Sequence, residues 1–559
     1  MKPTKAYLGL LARILRAKGL DTVIISPGSR NAPLIRTFTS LEGFRCLSMP
    51  DERSAAHFAL GVALRTGRPA AVVSTSGTAA LNYAPAVAEA YYQEVPLLIL
   101  TADRPAEWID KGDGQAIRQE NIYAPFIRKS FRFPQHILTH DDLNGVIALS
   151  NEAFDSMLTP VPGPVHINFP FPEPLYDFTP DVETPFRITR VASPSPLPDG
   201  EVLAGLIREW QTAGSRLLVS GLMSPDPELE EILEVLLQDP ATVLLTETTS
   251  NLHVSRSIPG IDKVVSTITG EEAEVFRPEL LITFGGHIVS KMIKRFLRDH
   301  PPRHHWHISP AGQALDTFHA LTRRVSARPA ALLQRLAQTV AASPGTSFRH
   351  VWHSRDRRSE ERHRRFLRDA PYSDLTVFDE IFRALPESSS VHLANSTPVR
   401  YSQLYRMEKR YRFFSNRGVS GIDGCVSTAA GAALDAREDN YLLTGDIAFF
   451  YDRNGLWHRH LSPRLKIILI NNGGGGIFRF LDGPESTGHL EMFETPHDLT
   501  ARHTATLHGL HYLEAHDPAS LKENLARLVR KEGPALLEIR TPREKNSQVL
   551  KAYFENLKK

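Results

Sequence analysis

Short apolar runs alternate with longer amphipathic stretches along the whole chain. In the first third, TVIIS (22–26), AAVVST (70–75) and VPLLILTA (95–102) are nearly unbroken apolar segments of strand length. Between them, SAAHFALGVALRT (54–66) and ALNYAPAVAEAYYQ (80–93) carry helical patterns, and residues 34–39 suit a further helix. Strands buried on both faces read as unbroken runs, so this alternation predicts a parallel sheet covered by helices on both sides. A second block follows with RLLVSG (216–221), ATVLLTE (241–247), ELLITFGG (279–286) and HHWHIS (304–309). A third has SVHLAN (390–395), NYLLTGD (440–446), LKIILINN (465–472) and ALLEIRT (535–541). The expected fold is α/β, with three doubly wound parallel-sheet domains. Proline-rich FRITRVASPSPLPDG (186–200) reads as one linker, and AASPGTS (341–347) marks a second boundary. These place the domains at 1–182, 190–342 and 350–559.

The amphipathic pattern also settles the N-terminus. Tyr7, Leu8, Leu11, Ile14 and Leu15 recur at helical spacing before Gly19, which predicts a core helix in place of a signal peptide. The Arg-rich stretch 354–369 has interspersed acids, so it reads as a solvated helix.

Composition narrows the class. A chain of 559 residues exceeds a single core, and its length fits roughly three or four domains. The formal net charge is only +2, which gives no footprint for nucleic acid or a membrane surface. Two cysteines cannot form a disulfide framework, and no apolar run approaches the length of a spanning helix. A cytoplasmic protein without membrane insertion is expected.

The densest chemistry lies in the third block. GDIAFFYDRNGL begins at Gly445 and NNGGGGIF at Asn471, each where a predicted strand ends, with 24 residues between the Gly-Asp and Asn-Asn pairs. Open α/β sheets bind ligands at the carboxyl ends of their strands. Asp446 offers a hard carboxylate, Asn472 an amide oxygen, and the glycine-rich run lets the Gly474 carbonyl come close. Three such oxygens, with two phosphate oxygens and a water, complete a Mg²⁺ shell. In the first block, ISPGSRNAPL places Arg30 just after a strand. HPPRHHWHIS (300–309) alternates His305 and His307 without a carboxylate or cysteine partner, so no metal is expected there. FGGHIVSK (284–291) lacks the dinucleotide glycine fingerprint, so neither FAD nor NAD is expected.

The spacing of the two third-block motifs resembles that of thiamine-diphosphate enzymes. The three blocks match that superfamily's pyrimidine-binding, middle and diphosphate-binding domains in order. The resemblance implies a glutamate just before a helix in the first block, and MPDERSAAHFALG supplies Glu52. A carboxyl on the cofactor's aminopyrimidine nitrogen favours the imino tautomer, whose nitrogen can take the thiazolium C2 proton.

SPGSRNAPL, TSGTAALNYAPAVAEA, LTADRPAEWIDKGDGQAIRQ, SNRGVSGIDG and NNGGGGIF together resemble the 2-succinyl-5-enolpyruvyl-6-hydroxy-3-cyclohexene-1-carboxylate synthase family of menaquinone biosynthesis. That family decarboxylates 2-oxoglutarate and adds the four-carbon carbanion to isochorismate. The resemblance implies thiamine diphosphate with Mg²⁺ or Mn²⁺ held by Asp446, Asn472 and Gly474. It also puts Ser76, Gly77, Thr78, Gly445, Ile447 and Ala448 on the cofactor, Ile422 beneath it, and Ile477 and Phe478 along the pocket. Arg400 and Arg417, with Ser396, would hold the oxoacid's distal carboxylate. Ser29, Arg30, Arg104, Gln115 and Lys291 would face isochorismate. A homodimer or homotetramer with active sites between subunits is implied. The chain departs from the family's pattern at Gly114, where asparagine is common, and at Met292, where arginine is usual.

Three other readings stand beside this one. A dinucleotide-dependent dehydrogenase is disfavoured by the missing glycine fingerprint. An acetolactate-synthase relative would need no cluster of carboxylate-binding arginines. A non-catalytic subunit would be free to lose Glu52 or the metal pair, and both are present.

Overall fold

The computed structural model describes residues 7–176, 184–191, 196–312, 314–339, 347–480 and 483–559. The expected boundaries at 182 and 342 lie outside these residues, as do 192–195 of the first linker and 341–346 of the second. Each of the three blocks forms one sheet, and every strand pair in all three is parallel.

The first sheet comprises β1 (Thr22–Ile25), β2 (Arg45–Ser48), β3 (Ala70–Ser74), β4 (Leu97–Asp103), β5 (Lys129–Arg132) and β6 (Val165–Pro170). Their order across the sheet is β2-β1-β3-β4-β6-β5. The second has β7 (Arg216–Ser220), β8 (Thr242–Thr246), β9 (Leu280–Phe284), β10 (His304–Ser309) and β11 (Arg323–Ser326), ordered β11-β10-β9-β7-β8. The third has β12 (Ser390–Leu393), β13 (Arg412–Phe414), β14 (Asn440–Gly445), β15 (Leu465–Asn471), β16 (His511–Ala515) and β17 (Ala535–Arg540), ordered β13-β12-β14-β15-β17-β16. The first and third sheets therefore share one topology. In each, the winding direction reverses between the first and third strands, which opens a crevice at their carboxyl ends.

The outer domains are locked together inside one chain. The helix Glu52–Thr66 crosses the helix Cys425–Ala432, and a Cβ at Gly61 would collide with the Thr428 carbonyl. One at Gly431 would strike the Phe58 carbonyl. One apolar cluster runs through both domains, from Phe58 and Leu60 to Val426, Ala429 and Ile467.

The Arg-rich segment is a single helix, Phe348–Asp369, but it is not simply solvated. Phe348, Trp352, Asp356, Ser359 and His363 form a buried stripe at spacings of three and four. Phe348 and Trp352 join the middle domain's core beside Phe276 and Phe296. His363 Nδ1 lies 2.8 Å from the Tyr553 hydroxyl of the C-terminal helix. The arginines occupy the remaining faces. No described helix is long and apolar enough to cross a membrane.

Candidate active site

At the carboxyl ends of β14 and β15, Asp446 opens the helix Asp446–Tyr451 and is almost fully buried. Its Oδ2 accepts the N–H groups of Gly473 (2.8 Å) and Gly474 (2.9 Å), and its Oδ1 accepts that of Ile447 at 2.7 Å. Burial raises the Asp446 pKa, against the opposing pull of those N–H groups and of His497, whose Nε2 is 3.6 Å away. Asn472 donates its amide N–H to Asp374 Oδ2 at 3.4 Å, and its Oδ1 is buried without a partner.

An unpaired buried acceptor is costly unless a ligand meets it. Asp374 itself is fully buried, bound by Thr541, and pushed up to about 6 by that burial. The run after Asn472 must be glycine. Gly473 has φ 77° and Gly474 φ 154°, and a Cβ on Gly474 would lie 2.8 Å from the Glu494 carbonyl. Arg543 Nη1 ties the Gly473 carbonyl at 2.8 Å. A carboxylate, a buried unpartnered amide oxygen and a glycine carbonyl are hard oxygen donors of the kind Mg²⁺ takes. Gly445, Ile447 and Ala448 surround Asp446 on its strand and helix, while Ile477 and Phe478 lie on the short turn Gly476–Arg479 that follows the glycines.

Beside this loop the third sheet also presents cations. Ser396, at φ 75°, precedes the helix Thr397–Ser402 that carries Arg400. Arg400 makes no hydrogen bond or ion pair through its guanidinium among the described residues, and its Nε is buried and unpaired. Arg417 is 8% exposed; its Nη1 donates to Asn395 Oδ1 at 2.7 Å and its Nε has no partner. Burial first, then mutual repulsion, lowers the Arg417 pKa. Lys291, at the start of the middle-domain helix Lys291–Asp299, is exposed and feels the positive field of Arg400. Burial and the Arg400 charge lower its pKa. The structure thus brings Lys291, Arg400 and Arg417 together from two domains. Ile422 sits on the loop just past Arg417, between β13 and the helix Cys425–Ala432.

The first sheet assembles a second group in its own crevice. The turn Ser26–Arg30 leaves β1 and the turn Thr75–Thr78 leaves β3. They touch so closely that a Cβ on Gly28 would run into Thr75. Gly77 needs φ 84° and its N–H donates to Gln119 Oε1 at 2.7 Å. The Ser76 hydroxyl is buried and unpaired, and Thr78 begins the next helix.

Ser29 is exposed, whereas Arg30 is buried at 3% exposure. Arg30 donates to the Phe171 carbonyl (2.9 Å) and pairs with Glu173 at 2.9 Å, while its Nε is unpaired. Arg104, at the end of β4, donates from Nε and Nη2 to the Gly114 carbonyl. Trp108 lies between the two arginines, 5.8 Å from Arg30 and 6.0 Å from Arg104. Gln115 is exposed at φ 57° against Gly77. A buried chain connects these turns: Gln119 donates to Asn168 Oδ1 (3.1 Å), and Asn168 donates to Asp103 Oδ2 (2.7 Å). Asp103 is pushed up to about 6 by burial.

Glu52 is the first residue of its helix, behind Asp51, whose carboxylate caps the Ser54 N–H at 3.0 Å. Burial raises the Glu52 pKa, and the Asp51 charge adds to it. No hydrogen bond or ion pair joins Glu52 to the Asp446 loop among the described residues. Its neighbours instead grip the far end of the Asp446–Tyr451 helix: Asp51 Oδ2 accepts from Asn454 at 2.8 Å, and Arg53 donates to the Tyr451 carbonyl at 2.9 Å.

His305 and His307 flank Thr283 Oγ1 at 3.0 Å each, and burial lowers both to about 4. Among the described residues no three His, Cys, Asp or Glu side chains gather around a metal position. Sequence reasoning missed Asp374, Arg543, Trp108 and Gln119. Trp108 and Gln119 both sit in a motif it had singled out.

The two crevices, one offering phosphate-ready glycines and oxygen donors and the other an isolated glutamate, define a thiamine-pyrophosphate-dependent enzyme. The thiamine pyrophosphate enzyme N-terminal TPP binding domain matches residues 8–122, the middle domain of thiamine pyrophosphate enzymes 208–393, and the C-terminal TPP binding domain 396–539. The chain is 41% identical over 558 residues to the 2-succinyl-5-enolpyruvyl-6-hydroxy-3-cyclohexene-1-carboxylate synthase of Flavobacterium johnsoniae, covering 99% of both chains. It is 40% identical over 562 residues to the synthase of the same name from Porphyromonas gingivalis, covering 98% of this chain and 97% of that one. The chain belongs to the 2-succinyl-5-enolpyruvyl-6-hydroxy-3-cyclohexene-1-carboxylate synthase family.

Proposed function

We propose that the enzyme decarboxylates 2-oxoglutarate and joins the remaining four carbons to isochorismate. The products are 2-succinyl-5-enolpyruvyl-6-hydroxy-3-cyclohexene-1-carboxylate and CO2, a step of menaquinone biosynthesis in the cytoplasm. The observation that carries this reading is the group Arg400, Arg417 and Lys291, cations without an acid partner in contact, beside the Asp446–Asn472 loop. Such an excess of fixed positive charge needs an anionic ligand, and both substrates are dianions.

When bound, thiamine diphosphate supplies the electron sink that a 2-oxoacid needs to lose CO2. Asp446, Asn472 Oδ1 and the Gly474 carbonyl would hold the Mg²⁺ or Mn²⁺ of its diphosphate, and the unpaired Asn472 Oδ1 fits that role. Asp374 accepts the Asn472 amide N–H and so leaves its oxygen free, which would suit a metal ligand. Glu52, whose burial favours the protonated carboxyl, would hold a proton for the cofactor's ring nitrogen. Ile422 would give the cofactor an apolar support, Ser76, Gly77 and Thr78 would contact it, and Ile477 and Phe478 would line the pocket.

Arg400 and Arg417, with Ser396, hold the distal carboxylate of the oxoacid by bidentate pairing. Ser29, Arg30, Arg104 and Gln115 face isochorismate, with Lys291 reaching in from the middle domain. For Arg30 this means exchanging its Glu173 partner for the substrate carboxylate. Family resemblance supports an assembly of at least two subunits, with Glu52 serving a partner's diphosphate loop.

A substrate exchange tests the reading. With thiamine diphosphate, Mg²⁺ and isochorismate present, 2-oxoglutarate should be consumed and pyruvate ignored. Consumption of pyruvate in preference to 2-oxoglutarate would sink it.

A further inference from the structure

Lys294 lies one turn beyond Lys291 on the helix Lys291–Asp299. The start of that helix is rigidly set. Ser290 accepts the Ile293 N–H at 3.1 Å, and Glu247 accepts the N–H groups of Val289 and Ser290 at 2.7–2.9 Å. Residues three apart share a helix face, so Lys294 is presented on the same side as Lys291. Met292, between them, packs against the middle-domain core with Ile293 and Phe296, and adds nothing polar.

Lys294 is only partly exposed, yet among the described residues its ammonium makes no ion pair and donates no hydrogen bond. The other cations of the helix are differently placed. Arg295 is 84% exposed and pairs with Asp299, and Arg298 donates to the Thr317 carbonyl at 2.7 Å. The charged groups that act on Lys294 are Glu247, Arg417, Arg298 and Arg400. Burial comes first and lowers its pKa; Arg417, Arg298 and Arg400 lower it further, against the raising effect of Glu247. Glu247 already serves three backbone hydrogen-bond contacts and is itself buried. A half-buried ammonium in the field of Arg400, which has no partner among the described residues, and of Arg417, which has only its Asn395 hydrogen bond, is unfavourable until an anion arrives.

We propose that Lys294 binds the 2-oxoacid, adding a third positive charge to the Arg400–Arg417 pair and tightening the site's hold on a dicarboxylate. This rests on the function proposed above.

The test uses the enzyme loaded with thiamine diphosphate and Mg²⁺, as wild type, Lys294→Met and Lys294→Arg. Steady-state constants are measured for each substrate with the other saturating. Calorimetric titration with glutarate, a dicarboxylate without the keto group, reports binding apart from turnover. Losing one charge-assisted contact predicts a KM for 2-oxoglutarate and a Kd for glutarate that each rise ~10- to 100-fold in Lys294→Met. The KM for isochorismate should stay within about twofold, and Lys294→Arg should recover most of the loss. Unchanged glutarate affinity in Lys294→Met overturns the proposal. So does a rise confined to the KM for isochorismate, or a loss in both variants that tracks a lowered melting temperature. A wild type that neither binds glutarate nor consumes 2-oxoglutarate overturns the substrate reading itself, before any variant is compared.

Discussion

Arg417→Met removes a guanidinium that is 8% exposed and has one hydrogen bond, to Asn395 Oδ1. The damage to the fold should be small. Asn395 stays anchored, because its Nδ2 donates to the Asn416 carbonyl (2.6 Å) and the Gly421 carbonyl (2.7 Å). Methionine keeps the apolar volume, and removing one of two repelling buried cations offsets the lost hydrogen bond. The cost falls on the substrate. A carboxylate that loses a bidentate, desolvated arginine forfeits hydrogen bonds to a charged group, together about 2–4 kcal/mol. That converts to a fall of ~30- to 700-fold in kcat/KM for 2-oxoglutarate. Initial rates at saturating isochorismate give the ratio, and circular-dichroism melting of both proteins shows whether the fold is kept. A loss below about threefold in a folded variant would refute the role of Arg417. A loss expressed only in the KM for isochorismate would move Arg417 to the other substrate.

Three further outcomes follow from the geometry. Glu52→Gln should bind thiamine diphosphate nearly as tightly as wild type while deuterium exchange at the cofactor's C2 slows by at least ~100-fold; unchanged exchange would remove Glu52 from proton transfer. Gly61→Ala should cost about 1–3 kcal/mol, because its Cβ meets the Thr428 backbone, and it should lower the melting temperature and kcat together, since Glu52 begins the same helix. An unshifted melting temperature would mean that the two helices do not cross so closely. Asp103 titrates near 6 when folded and at about 3.9 in an unfolded chain. The folded state therefore binds its proton more tightly, and stability falls as pH rises between about 4 and 6, by at most ~3 kcal/mol. Urea unfolding across that range should show the wild type losing stability relative to Asp103→Asn toward pH 6, and a constant difference would contradict the shift.

Most central strands were legible because burial on both faces leaves nearly unbroken apolar runs, as in LKIILI and VPLLIL; β6 was not, because His166 and Asn168 interrupt its run. Most edge strands were not legible; apolar β8, at the edge of the second sheet, was the exception. RCLS, KSFR and RRVS keep charged residues toward solvent, which hides their pairing and protects the open edge. The Phe348–Asp369 helix was misread in part, since its many arginines masked a narrow buried stripe. Within the site, Asp446 and Asn472 could be read from spacing because both end adjacent strands of one sheet. Asp374 and Arg543 could not, for each reaches the Asn472 loop from a remote segment through tertiary packing alone. Arg30 and Arg104 were visible as strand-end arginines, but Trp108 between them and the Glu173 partner of Arg30 emerge only from the folded turn.

The central claim is that one active site removes CO2 from 2-oxoglutarate and transfers the rest to isochorismate. Incubation with 2-oxoglutarate labelled at C1, isochorismate, thiamine diphosphate and Mg²⁺ tests it directly. The account predicts one labelled CO2 released for each isochorismate consumed, with the unlabelled four-carbon unit found by mass spectrometry in the adduct. Labelled CO2 without loss of isochorismate, or loss of isochorismate without the four-carbon gain, would contradict it.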